Sequence, residues 1–204
     1  MSFSKPQLQS DLEDVFSSMN SDDDSIFANG LSEAFMNFVN SGVPSTTDSG
    51  TISAGTFTGA STGGSLSASD SACASIITQA FSYMKSHESG GDDYLAGKIA
   101  EGLKKMTDDT VVTTSVSGTA VPPSPPPPTV PVSGTAKGTI TCDTSTLETN
   151  LKSVFSSMKS MQSGGDAYFA QKLAEEVYNC LKAGVISTNG QGALAGSSGS
   201  GTAS

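Results

Sequence analysis

The sequence predicts a mainly α fold: three repeated αα-hairpins joined by long Gly/Ser/Thr/Pro-rich linkers. Two observations carry that expectation. A pentapeptide, Val15-Phe16-Ser17-Ser18-Met19, returns as Ala80-Phe81-Ser82-Tyr83-Met84 and again as Val154-Phe155-Ser156-Ser157-Met158, and a recurring unit marks a repeat architecture. The stretches between the copies are dominated by Gly, Ser, Thr and Pro, with few large apolar side chains.

Within each copy the first segment spaces its apolar residues four apart: Leu8, Leu12, Phe16; Cys73, Ile77, Phe81; Leu147, Leu151, Phe155. Such spacing is one face of an α-helix. A polar loop follows, and an aspartate stands at the matching place of every copy, Asp24, Asp92 and Asp166, where a carboxylate is expected to cap a second helix. Those second helices carry Phe27, Leu31, Phe35, Phe38; Leu95, Ile99, Leu103, Met106; and Phe169, Leu173, Val177, Cys180. The expected division is therefore hairpin 1 over 4–42, a Gly/Ser/Thr linker over 43–66, hairpin 2 over 67–108, a Pro-rich linker over 109–141, hairpin 3 over 142–186 and a flexible tail over 187–204. The linkers read as spacers. The alternation of β-branched and small residues at Thr51–Thr58, Val111–Val116 and Thr135–Thr141, with its Gly-Thr echoes, leaves short edge strands added to a partner's sheet as the other reading. The proline run at 122–128 is expected in polyproline II form.

Isolated islands of about 40 residues bury too little surface to be stable alone, so the hairpins are expected to pack on one another or on partners. The chain has 204 residues, 35% of them hydrophobic, a net charge of −10, and no Arg among its ten basic residues. Phosphate neutralisation dominates nucleic-acid affinity and Arg is its preferred reader, so neither nucleic acid nor an anionic membrane is an expected partner. No apolar run reaches the ~18 residues of a membrane span, and the N-terminus lacks a signal-peptide pattern. Synthesis in the cytoplasm is expected, with residence in a virion or another large assembly.

The chemistry is sparse. Three cysteines without a C-x-x-C pairing and a lone His87 propose no metal set and no catalytic triad. Asp22-Asp23-Asp24 lacks the ligand spacing of a calcium loop. No catalytic residue, metal site or cofactor is expected, and the protein reads as non-enzymatic. Cys73 and Cys180 fill apolar-stripe positions. Cys142 lies outside the stripe and is the candidate for an intermolecular disulfide. If the repeats bind partners, the edges of the stripes carry the contact: Phe16, Met19, Phe81, Met84, Phe155 and Met158. The same spacing also suits a purely internal role.

The Phe-Ser-x-Met, Gly-Gly-Asp and Leu/Ile-Ala repeats, with Gly-Thr linkers such as Gly134-Thr135-Ala136-Lys137-Gly138-Thr139, resemble accessory structural proteins of tailed bacteriophage virions, of the decoration, neck or tail-associated kind. The resemblance implies a structural, decoration or linker protein. Its tethered hairpins would bridge neighbouring virion subunits and copies of itself. The alternative is a cytosolic multivalent adaptor for soluble protein partners.

Overall fold

The computed structural model describes residues 3–18, 24–87, 89–123 and 129–204. A helix pair and a strand pair alternate three times along the chain. First come α1 (Lys5–Ser17) and α2 (Asp24–Ser41) with β1 (Pro44–Ile52) and β2 (Gly55–Ser67). Next are α3 (Ser71–Ser86) and α4 (Gly91–Asp109) with β3 (Val111–Val121) and β4 (Val130–Thr141). Last are α5 (Ser145–Met158) and α6 (Gly165–Lys182) with β5 (Val185–Gly190) and β6 (Ser197–Ala203).

The strands overturn the mainly α expectation. Residues 43–66 and 109–141, expected as linkers, and 187–204, expected as a flexible tail, supply a closed antiparallel barrel in the order β1-β2-β3-β4-β5-β6. Closure comes from β6 on β1, with Pro44 opposite Ala203 and Gly50 opposite Ser197. The strands are therefore not edges offered to a partner's sheet, because every one is paired on both sides within the chain. The proline run, apart from Pro122 and Pro123, lies outside the described residues.

Burial alternates along each strand, as the two-residue period requires. In β3, Val112, Thr114, Val116 and Ala120 are buried while Ser115, Ser117 and Thr119 are exposed. A barrel of eight strands has an interior just wide enough for side chains, and six strands enclose less. Glycine solves the crowding. A Cβ on Gly138 would lie 1.8 Å from the Ser187 carbonyl oxygen, and one on Gly201 equally close to that of Ser45. The Gly-Thr dipeptides of the sequence record this alternation, with glycine in the crowded position and threonine on the wall.

The helices form the second layer. Each packs on its neighbours in the order α1-α2-α3-α4-α5-α6, and α6 returns to α1, so the ring is closed. A row of phenylalanines ties the hairpins at its centre. Phe81 meets Phe27 edge-on at 5.3 Å, Phe27 stacks on Phe16 at 5.7 Å, Phe16 meets Phe169 at 5.2 Å, and Phe169 meets Phe155 at 4.9 Å. Leu66, Val112, Ile140, Ile186 and Ala203 of the barrel join the same core. Exposed ion pairs link neighbouring hairpins, Lys85 with Asp24 and Lys159 with Asp92, the latter at 2.8 Å. One capping expectation also fails: Gly90 and Gly164, at φ 79° and 75°, precede α4 and α6, and Asp92 and Asp166 stand inside the first turns. A left-handed residue before the helix suits glycine, and the carboxylates still complement the helix dipole.

Candidate functional site

The barrel interior holds a polar layer between two apolar ones. The helical repeat extends into the strands, because Thr46, Thr114 and Thr188 follow Phe38, Met106 and Cys180 at the same distance, eight residues on. All three threonines are buried, on β1, β3 and β5. Asp48, two residues beyond Thr46 on the same face, is only 2% exposed. Thr46 donates its hydroxyl to Asp48 Oδ2 at 2.7 Å and Thr188 donates to Oδ1 at 3.1 Å. Ser61 Oγ accepts from the Thr46 amide at 2.8 Å. A Cβ on Gly199 would lie 2.2 Å from Oδ1, so glycine there makes room for the carboxylate. Thr114 Oγ1, fully buried, has no hydrogen-bond partner.

On one side of this layer Ile52, Phe57, Val116, Ala120, Ala136 and Leu194 close the lumen; on the other lie the helical-layer contacts named above. A buried carboxylate needs hydrogen-bond partners to offset its lost hydration, and two hydroxyls supply them. Apolar plugs at both ends separate Asp48 from bulk solvent, so its work is to hold β1 against β5.

The outer wall is of another kind. Thr47 faces Ser200, Ser200 faces Ser187, and Ser187 faces Thr139, a hydroxyl belt across four adjacent strands. Ser49, Thr58 and Thr119 continue it on β1, β2 and β3. Lys137 is the one charged residue in the strands besides the buried Asp48. The net charge of −10 therefore belongs to the helices and connecting segments. No aromatic side chain is exposed on a strand; Phe57 is the sole aromatic in them and is fully buried. Such a surface offers hydroxyl donors, acceptors and methyl groups with little charge.

The residues singled out as partner contacts lie elsewhere. Phe16 and Phe155 are buried at the centre of the helical ring, and Phe81, Met84 and Met158 are partly buried against it. Met19 lies outside the described residues. Packing between hairpins covers Phe16 and Phe155 and leaves Phe81, Met84 and Met158 partly exposed. Cys142, the candidate for an intermolecular disulfide, is only 8% exposed, with its sulfur 3.8 Å from Thr107 Oγ1, so burial disfavours a bond to a second chain. His87 is exposed, stacks on Tyr83 at 3.7 Å, and places Nδ1 2.9 Å from that residue's carbonyl oxygen.

A surface groove of about 460 Å³ runs between α4 and α5. Its lysines Lys98 and Lys104 are paired with Glu101 and Asp108, and Glu148 with Lys152. Among the described residues, no group of three or more His, Cys, Asp or Glu could hold a metal ion, and no helix is long and apolar enough to cross a membrane. Thr46, Asp48, Thr114 and Thr188 escaped the sequence reading, although the repeat spacing carried past the second helix picks out the three threonines.

Fold and surfaces define a pseudo-threefold αα-ββ module, a closed ring of six helices seated on a closed six-stranded barrel. No protein-family profile, curated protein or solved structure matches the chain.

Proposed function

We propose that the protein is a non-enzymatic structural component of a large assembly, docking on other protein subunits through the hydroxyl wall of its barrel. One observation carries this reading: charge is concentrated in the helices and connecting segments, while the strands expose mainly Ser and Thr, with Val111, Val121, Val130 and Val185 towards their ends and a single Lys137. A wall with one lysine desolvates at lower cost than the charged helical layer, since little ionic hydration must be stripped. The acidic helical ring then faces solvent and keeps free copies apart by repulsion. The bridging is done by a rigid body, in place of hairpins on tethers. A bacteriophage particle, the setting that the sequence resembles, is the proposed host of this role, with virion subunits as partners.

The test pairs sedimentation with mutation. Particles from the source organism are banded on a density gradient and the chain is quantified against the major subunits by mass spectrometry. A fixed stoichiometry in the particle band, lost for Thr58→Lys/Thr119→Lys while the purified variant stays folded, supports the reading. A chain that stays in the soluble fraction refutes it.

A further inference from the structure

The third repeat differs from the other two at one packed pair of positions. In the first repeat Phe3, just before α1, stacks on Phe38 near the end of α2 at 4.9 Å. The repeat spacing puts Ala68 and Met106 at those places in the second copy and Cys142 and Cys180 in the third. The pair joins the entry of each hairpin to the end of its second helix, and in the third copy that junction consists of two thiols. Cys180 Sγ lies 3.5 Å from the carbonyl oxygen of Asp143, next in the chain after Cys142, whose own sulfur is 3.8 Å from Thr107 Oγ1. Both are free thiols, 8% and 9% exposed. A groove of about 300 Å³, lined by Asp143, Leu147, Glu176 and Asn179, opens on Cys180.

We infer that Cys142 and Cys180 form a peroxide-oxidisable dithiol whose product, an intramolecular disulfide, locks the β4–α5 junction to the end of α6. One sulfur of the pair, as its thiolate, attacks one oxygen of hydrogen peroxide, the O–O bond breaks, and a sulfenic acid forms as the other oxygen leaves as water. The other sulfur then attacks the sulfenic sulfur, an S–S bond forms, and a second water departs. Two thiols are oxidised and one peroxide is reduced, with no other reactant. Hydrogen bonding from Cys180, then from Thr107, holds the Cys142 thiol below its ordinary range against the effect of burial; hydrogen bonding to Cys142 and burial push Cys180 up. The groove lies at the small end of the range for ligand sites and carries Asp143 and Glu176, which favours a small neutral oxidant over an anionic disulfide such as oxidised glutathione. Cys73 is fully buried on α3 and takes no part.

The experiment treats the full chain with hydrogen peroxide under native conditions, blocks residual thiols after unfolding, and maps peptides by mass spectrometry. The expected product is a monomer lacking two hydrogens, with a Cys142–Cys180 crosslink, one thiol left at Cys73, and a thermal midpoint raised on the order of 10 °C by the closed loop. Cys73→Ser should crosslink as the parent does, and Cys180→Ser should not. Should Cys180→Ser fail to fold, the peptide map of the parent decides alone. Three intact thiols after oxidant, a crosslink involving Cys73, or a disulfide-linked dimer each overturns the inference.

Discussion

Thr46, Thr114 and Thr188 occupy equivalent positions in the three repeats, yet their hydroxyls have different partners, and valine substitution turns that difference into a measurement. Valine keeps the β-branched shape that strands favour and removes only the hydroxyl. At position 188 the change strips Asp48 Oδ1 of its 3.1 Å donor inside an apolar enclosure. At position 46 it removes the 2.7 Å donor to Oδ2. Hydrogen bonds to a charged group contribute about 1.5–3 kcal/mol, so each substitution should destabilise by roughly 2 kcal/mol, with Thr46→Val the costlier for its shorter bond. At position 114 the hydroxyl is buried and unpartnered. Its removal relieves a desolvation cost, and Thr114→Val should stabilise by about 1 kcal/mol. Urea unfolding followed by circular dichroism gives all three values, provided the slope with urea stays constant. If Thr114→Val cost as much as Thr188→Val, the asymmetry of the lumen described above would be wrong.

Two further outcomes follow from the packing and from burial. Phe155→Ala should lose about 3–5 kcal/mol. Because the phenylalanine row crosses all three hairpins, the whole chain should melt in one transition; a separate early melting of residues 142–186 would show that the hairpins are independent units. The Cys73 thiol is pushed up to about 12 from 9.0 by burial, with a smaller push from Asp70. Above the unfolded value the unfolded chain releases that proton while the folded chain keeps it. Stability conferred by the neutral buried thiol is therefore intact below about pH 9 and falls toward pH 12 at roughly 1.4 kcal/mol per unit. The difference in urea midpoint between the parent and Cys73→Ala should shift against the parent across that window, and a constant difference would refute the burial argument.

The helices were legible because their signal is local. Leu8, Leu12 and Phe16, or Leu147, Leu151 and Phe155, fall on one face by spacing alone, and three near-copies repeat the message. The strands were not legible in that way. Their inward positions mix a few large apolar residues, such as Ile52, Phe57, Val112, Val116, Ile140 and Ile186, with many glycines, alanines and threonines, so a hydrophobic period of two is broken, and the same composition describes a flexible spacer. What distinguishes them is the cramped interior of a six-stranded barrel, which exists only once β6 has paired with β1. Pro44 and Ala203 meet across most of the chain, a pairing that no local pattern encodes. The same holds for the proposed sites. Spacing placed Phe16 and Phe155 on apolar stripes, but only packing decided that neighbouring hairpins cover them. The junction of Cys142 with Cys180 and the bond of Thr188 to Asp48 join residues far apart in sequence. The sequence by itself determined three amphipathic hairpins, the acidic charge and the scarcity of catalytic chemistry; tertiary structure alone decided that the intervening segments close into a barrel, because glycine's value as an inward residue depends on the crowding that closure creates.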